Sequence, residues 1–177
     1  MKENNTIAFI FCEPTFHSFL ERIYDVILKI NATLLLSHEI RRNRKAVIII
    51  KDLNRALILN GKYIRNYRPD FQSASGLLLK AILKNAVGKG LRILPNQALI
   101  TDLSKEQLFI IKEGLYVKIP SEIVVSNATI LFPSTLKFKC LNLANNYPYI
   151  TIPEVEKLRE HQVATILNIE LDRMVGT

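Results

Sequence analysis

Along this chain, apolar residues recur at two different periods, and the switches between them mark the expected elements. The run TIAFIFC, residues 6–12, is almost wholly apolar and stops at Glu13-Pro14, which predicts a buried strand. From Thr15 onward, Phe16, Phe19, Leu20, Ile23, Val26, Ile27 and Ile30 recur at three- and four-residue spacing, predicting a helix capped by Thr15. Residues 32–36 and 46–50 read as short strands buried on both faces. RALILN, residues 55–60, followed by Gly61-Lys62 and Tyr63-Ile64-Arg65, reads as two short strands about a tight turn. Beyond Arg68-Pro69, a helix starts near Asp70 and places Phe71, Leu77, Leu78, Ala81, Ile82 and Ala86 on one side, ending at the glycines of NAVGKG. Residues 98–100, 108–111, 115–119, 123–125 and 128–132 read as strands, and a final helix is expected from about Pro153 to Arg173.

Mixed strands and helices over 177 residues, 49% of them apolar, predict one α/β domain spanning residues 1–177 rather than a bundle or a sandwich. No apolar run is long enough to span a membrane, so no membrane segment is expected. Two cysteines, Cys12 and Cys140, are too few for a disulfide framework and lack zinc-ligand spacing, so a reducing cytoplasm is the expected home.

Charge changes the picture. A formal net charge of +8 favours a polyanionic partner, and the cations are clustered. In LLLSHEIRRNRK, residues 34–45, Arg41, Arg42, Arg44 and Lys45 present four positive heads within five residues, between two apolar runs. A solvated polar turn would look similar, but this density suits several phosphates. A second stretch, GKYIRNYRPD, interleaves Lys62, Tyr63, Arg65, Tyr67 and Arg68, a composition that can hold phosphates and stack on unpaired bases. Asp70 suits a helix cap as well as a catalytic acid. A zinc-protease helix would need a second histidine four residues after His38, where Arg42 stands, so no metal site is expected. No G-x-S-x-G, Walker loop or G-x-G-x-x-G is present, which gives little support to triad hydrolases, kinases or Rossmann dehydrogenases.

The segment LLLSHEIRR followed by AVIII resembles the archaeal tRNA pseudouridine-N1 methyltransferases of the SPOUT class, whose pattern is an apolar run, Leu-Ser-His-Asp-Ile-Arg-Arg and then a strand. Glu39 stands where that family has aspartate. ILNGKYIRNYRPDFQSASGLLLKAIL, GLRIL, ALITDL, LFIIKEG, ATILF and EHQVATILNIELDR follow in the family's order, so the resemblance covers roughly residues 20–173. It implies a SPOUT-like trefoil-knotted domain with a parallel sheet and flanking helices. The implied activity is S-adenosyl-L-methionine-dependent methylation of pseudouridine N1 in tRNA, by a homodimer that uses the first and last helices as its interface.

The alternatives are a ribosomal-RNA acceptor, which related enzymes of the same fold modify, or RNA binding without methyl transfer. Glu39 or Asp70 would accept the proton or orient the base, and Arg41 and Arg42 would hold the nucleotide's phosphate, with Arg44, Lys45, Arg65 and Arg68 as further RNA contacts. The methyl donor would lie among loops 110–114, 132–135 and 151–158, giving Ile110, Gly114, Pro133, Ser134, Pro153, Val155 and Leu158, with Gln162 beside them. The family's glycine-containing knot loop corresponds to LFPST here, where proline has replaced glycine.

Overall fold

The computed structural model describes residues 5–175 except 38, 66 and 143–145. Its centre is a seven-stranded sheet in the order β4-β3-β2-β1-β6-β5-β7. The strands are β1 (Ile7–Glu13), β2 (Arg44–Ile50), β3 (Arg55–Asn60), β4 (Leu91–Pro95), β5 (Gln107–Glu113), β6 (Ala128–Leu131) and β7 (Tyr149–Ile152). The pairs β1–β2, β1–β6, β5–β6 and β5–β7 are parallel, while β2–β3 and β3–β4 are antiparallel. The sheet is thus mostly parallel, and β1 and β6 at its middle are buried along their whole length, as their mainly apolar sequences suit, with Glu13 and Thr129 the polar exceptions.

Six helices flank it: α1 (Phe16–Glu21), α2 (Ile23–Leu34), α3 (Phe71–Lys84), α4 (Asn96–Leu103), α5 (Pro133–Lys137) and α6 (Glu160–Val175). The larger core, with Phe9, Phe11, Ile48, Leu57 and Phe109 from the sheet, lies under α2, α3 and α6. The smaller one, with Ile10, Val47, Ile49 and Leu131, lies on the opposite sheet face together with Leu99 and Leu103 of α4. Among the described residues no helix is long and apolar enough to cross a membrane.

Several local expectations need correction. The first helix is two helices broken at Arg22, although Thr15 forms the expected cap, accepting from the Ser18 amide at 3.0 Å. Residues 32–34 continue α2 rather than forming a strand, because their apolar side chains complete the helix's buried face. Residues 55–60 are β3, but the expected hairpin about Gly61 is absent: β3 pairs with β2 and β4, and residues 63–65 form no strand. Residues 98–100 lie in α4, and 121–124 form a short 3₁₀ turn. Residues 115–119 pair with the sheet only through Lys118 opposite Thr151. Pro153 does not open the last helix, which starts at Glu160 after a turn.

The two cysteines, which a reading for a reducing compartment leaves unpaired, are joined. Cys12 at the end of β1 and Cys140 beyond α5 form a disulfide across 128 residues, with Cα atoms 6.4 Å apart, within the usual span for such a bond.

Candidate functional site

The two basic stretches meet, and Gly61 is the reason. Its amide donates to the Arg44 carbonyl at 2.9 Å, and a Cβ there would fall 2.0 Å from the Arg41 carbonyl oxygen, so only glycine lets the two segments touch. Leu35 pairs with Ile40 in an isolated antiparallel bridge, and the Leu36 amide donates to the Glu39 carbonyl at 2.8 Å. The result is a groove of about 580 Å³ lined by Ser37, Glu39, Arg42, Arg65 and Tyr67, with Leu35, Leu36, Ile40, Ile64 and Pro69.

The expected cluster of four cations is not displayed together. Arg42 alone of the four lines the groove. Arg44 and Lys45 are consecutive in β2, so they point to opposite faces of the sheet. Lys45 lies 3.8 Å from Glu106 on the α4 face. Arg44, with 1% of its side chain exposed, enters the larger core, where its Nε donates to Asn168 Oδ1 at 2.8 Å and its Nη2 lies 3.4 Å from Asp172. Burial lowers its pKa to about 10 against the pull of Asp172, with Arg41 adding to the decrease. Arg41 is also turned inward, pairing with Asp172 at 3.0 Å and donating to the Leu35 carbonyl. Asn168, itself buried, donates from Nδ2 to the carbonyls of Ala32 and Thr33 at the end of α2. Asn168 and Asp172, one turn apart on α6, therefore clamp the basic loop onto the helix layer. Arg41, Arg44 and Lys45 each have an internal acidic partner, Asp172 or Glu106, and Arg42 has none among the described residues.

In the second stretch, Arg65 lines the groove and Arg68 is exposed near Asp70. Tyr67 is no stacking platform: it is 6% exposed, and its hydroxyl donates to Asn31 Oδ1 at 2.7 Å. Burial raises its pKa well above the ordinary phenol value, with the Asp70 charge adding to the rise. Asp70 accepts from the Ser73 amide at 2.8 Å as the cap of α3, and that hydrogen bond lowers its pKa. Its observed role is the structural one. Glu39 is exposed and lines the groove. His38 lies outside the described residues.

A second site lies at the carboxyl edge of the parallel strands, the edge where open α/β sheets bind ligands. A pocket of about 460 Å³ is lined by Arg22, Asp25, Lys29, Pro133, Ser134, Lys137, Phe138, Leu158, Arg159 and Glu160. Its floor is an ion network. Lys29 lies 3.2 Å from Glu13, 3.2 Å from Asp25 and 3.1 Å from Glu160, and Arg22 also pairs with Glu13. Burial pushes the Lys29 pKa down, but the carboxylates of Glu160, Glu13 and Asp25 outweigh it and the net direction is upward. His161 completes the cluster, 3.3 Å from Asp25.

This network was missed by sequence reading. Its signals were a glutamate ending an otherwise apolar strand and a lysine three residues after Val26, on the buried side of the helix, with an aspartate one turn before it.

Of the expected cofactor residues, Pro133, Ser134 and Leu158 line this pocket. The Ser134 amide donates to Glu160 at 2.8 Å, and the Ser134 hydroxyl accepts from the Cys12 amide at 2.9 Å. Ile110 packs against the smaller core and Val155 belongs to the larger one. Gln162 accepts from the Arg159 amide at 2.8 Å, a cap for α6. Gly114 lies against β7, where a Cβ would come 2.4 Å from the Thr151 Cβ, so its small size serves strand packing. Pro153 precedes Glu154, which holds a left-handed backbone with φ 53°. The Glu154 amide is held by the Glu113 carboxylate at 2.6 Å.

No protein-family model matches the sequence, and no curated protein matches it. Among solved structures, the crystal structure of Archaeoglobus fulgidus Nep1 bound to S-adenosylhomocysteine superposes with a TM-score of 0.65, covering 98% of this chain and 99% of that one at 10% sequence identity. A likeness of that extent at so low an identity is a statement about architecture, and the chain shares the α/β fold of that structure.

Proposed function

We propose that this protein is an S-adenosyl-L-methionine-dependent RNA methyltransferase acting on N1 of pseudouridine. The observation that carries the reading is the likeness in fold, over 98% of the chain, to Nep1 in its S-adenosylhomocysteine complex, together with a groove lined by Ser37, Glu39, Ile40 and Arg42 of the segment that suggested the reaction. A tRNA acceptor is the one the sequence resemblance implies; a ribosomal-RNA acceptor has equal support from the fold.

The carboxyl-edge pocket has a donor set that fits an amphoteric, nucleoside-sized ligand. Phe138, Leu158 and Pro133 supply apolar surface, Arg22, Lys137 and Arg159 suit a carboxylate, and Asp25 and Glu160 suit an ammonium or ribose hydroxyls. When bound, the methyl donor supplies a methyl group already activated by a sulfonium, so the protein's work is positioning and proton acceptance. Arg42 and Arg65 hold RNA phosphate in the groove, and Glu39 is the carboxylate placed to accept the N1 proton.

The groove precedes β2, at the amino edge of the sheet, whereas the pocket follows β1 and β6 at the carboxyl edge. They lie at opposite ends of α2, whose 12 residues span about 18 Å. One chain therefore does not bring Glu39 to its own pocket, and a homodimer in which each copy completes the other's site accounts for both.

Calorimetric titration of S-adenosyl-L-methionine, followed by methylation of transcripts with and without pseudouridine, tests the proposal. Heat on titration and methylation confined to pseudouridine-containing RNA are expected; equal modification of uridine-only RNA contradicts the acceptor.

A second reading, RNA binding without methyl transfer, is favoured by the way the chain's own carboxylates occupy the loop amides, Glu160 on Ser134 and Glu113 on Glu154. Absence of heat at millimolar donor, with RNA binding intact, decides for it.

A further inference from the structure

Beside the groove, between the end of α3 and the start of β4, lies a pocket of about 340 Å³ lined by Ile64, Leu77, Ala86, Val87 and Leu91, with Gly88 on its wall and Arg65 and Lys89 at its rim. We infer that it seats one unpaired base of a bound RNA, whose neighbouring nucleotide lies in the groove.

Ile64 and Arg65 line both cavities, so the two are adjacent and Arg65 stands at the divide. Its Nη1 donates to the carbonyls of Lys62 at 3.2 Å and Ile64 at 3.4 Å, which fixes the guanidinium at that divide. Among the described residues no carboxylate lines the apolar pocket, and Glu39 is the one acidic residue lining the groove. Apolar space, fixed cation and second cavity follow the order of base, phosphate and next nucleotide along an unpaired strand.

The pocket is preformed. Asn85, with φ 50°, ends α3 in the left-handed region, and Gly88 and Leu91 exchange backbone hydrogen bonds of 3.1 and 3.0 Å across the bend below it. Since Tyr67 is buried, the base is held between aliphatic side chains rather than on an aromatic platform. A duplex would keep its bases stacked away from this wall, so the site selects unpaired RNA.

The inference rests on the RNA-binding part of the proposed function and not on methyl transfer. The test is fluorescence anisotropy with the full chain, using a short unstructured RNA, the same RNA with one base at a time removed but its phosphates kept, and its duplex. The filled-pocket variant is Ala86→Leu/Val87→Leu, at two exposed positions. Removing one particular base weakens binding to the unaltered protein about tenfold, the scale of one base held by a protein surface. In the filled-pocket variant the intact RNA binds as weakly as the base-deleted RNA, removal of that base costs nothing further, and duplex binding is unchanged. The inference is overturned if every base-deleted RNA binds like the intact one, if the penalty persists undiminished in the variant, or if an acidic peptide of equal charge competes equally. An unaltered protein that binds the intact RNA, and loses affinity on Arg42→Ala, shows in those cases that only the base seat has failed. An unaltered protein that binds no RNA removes the RNA reading as well.

Discussion

The groove before β2 and the pocket after β1 both combine cationic side chains with glutamate, and treat them oppositely. In the pocket floor, Lys29 has 4% of its side chain exposed and three carboxylates around it, so its charge is spent on holding α2 to β1 and α6. In the groove, Arg42 is exposed and forms no ion pair among the described residues, so its charge is available to a ligand. Arg41 and Arg44 flank Arg42 in sequence but belong with the pocket in physics, since Asp172 and Asn168 hold them. Basic density in a sequence reports the number of cations; compensation decides which of them can bind anything.

Removing a compensated charge is the hardest blow to this contrast. Lys29→Ala leaves the buried Glu13 and its neighbours short of a partner, and is expected to cost about 3–5 kcal/mol in urea unfolding. A loss below about 1 kcal/mol would show that the network is hydrated and no different from the groove. Arg44→Met strands Asn168 and weakens the hold on Asp172, with an expected cost of about 2–3 kcal/mol. Under conditions where that variant remains folded, the salt dependence of any RNA binding is expected to be unchanged, because the Arg44 side chain is buried against Asn168 and Asp172.

Arg42→Ala shows the converse pattern. Stability stays within about 0.5 kcal/mol, while the slope of log affinity for RNA against log salt falls by about 0.7–0.9. An unchanged slope places the RNA elsewhere.

The gentlest probe is pH. The Lys29 pKa is raised above its ordinary 10.5, so the network's contribution is complete below that value and is lost as pH rises through the folded-state pKa. The Asp70 pKa is lowered below its ordinary 3.8, so its cap contributes above that value and is lost as pH falls through the folded-state pKa. Amide exchange at Ser73, compared with Asp70→Asn, reads the second effect. Alkaline denaturation compared with Lys29→Ala reads the first.

The local pattern by itself determined the central strands β1, β2 and β6, the body and cap of α3, the capped start of α1 and the α/β class. Each is written in contiguous apolar runs or a capping residue, signals that act over a few residues. The SHEIRR motif pointed to the groove because its residues are adjacent in the chain. Tertiary structure decided the rest. The ion network joins Glu13, Lys29 and Glu160 from three elements, and no local spacing records their approach. The fates of Arg44 and Lys45 depended on β2 beginning at Arg44, which turned neighbours in sequence to opposite faces of a sheet. Whether a charge is displayed or buried is a property of its surroundings, and those are assembled only when distant segments pack.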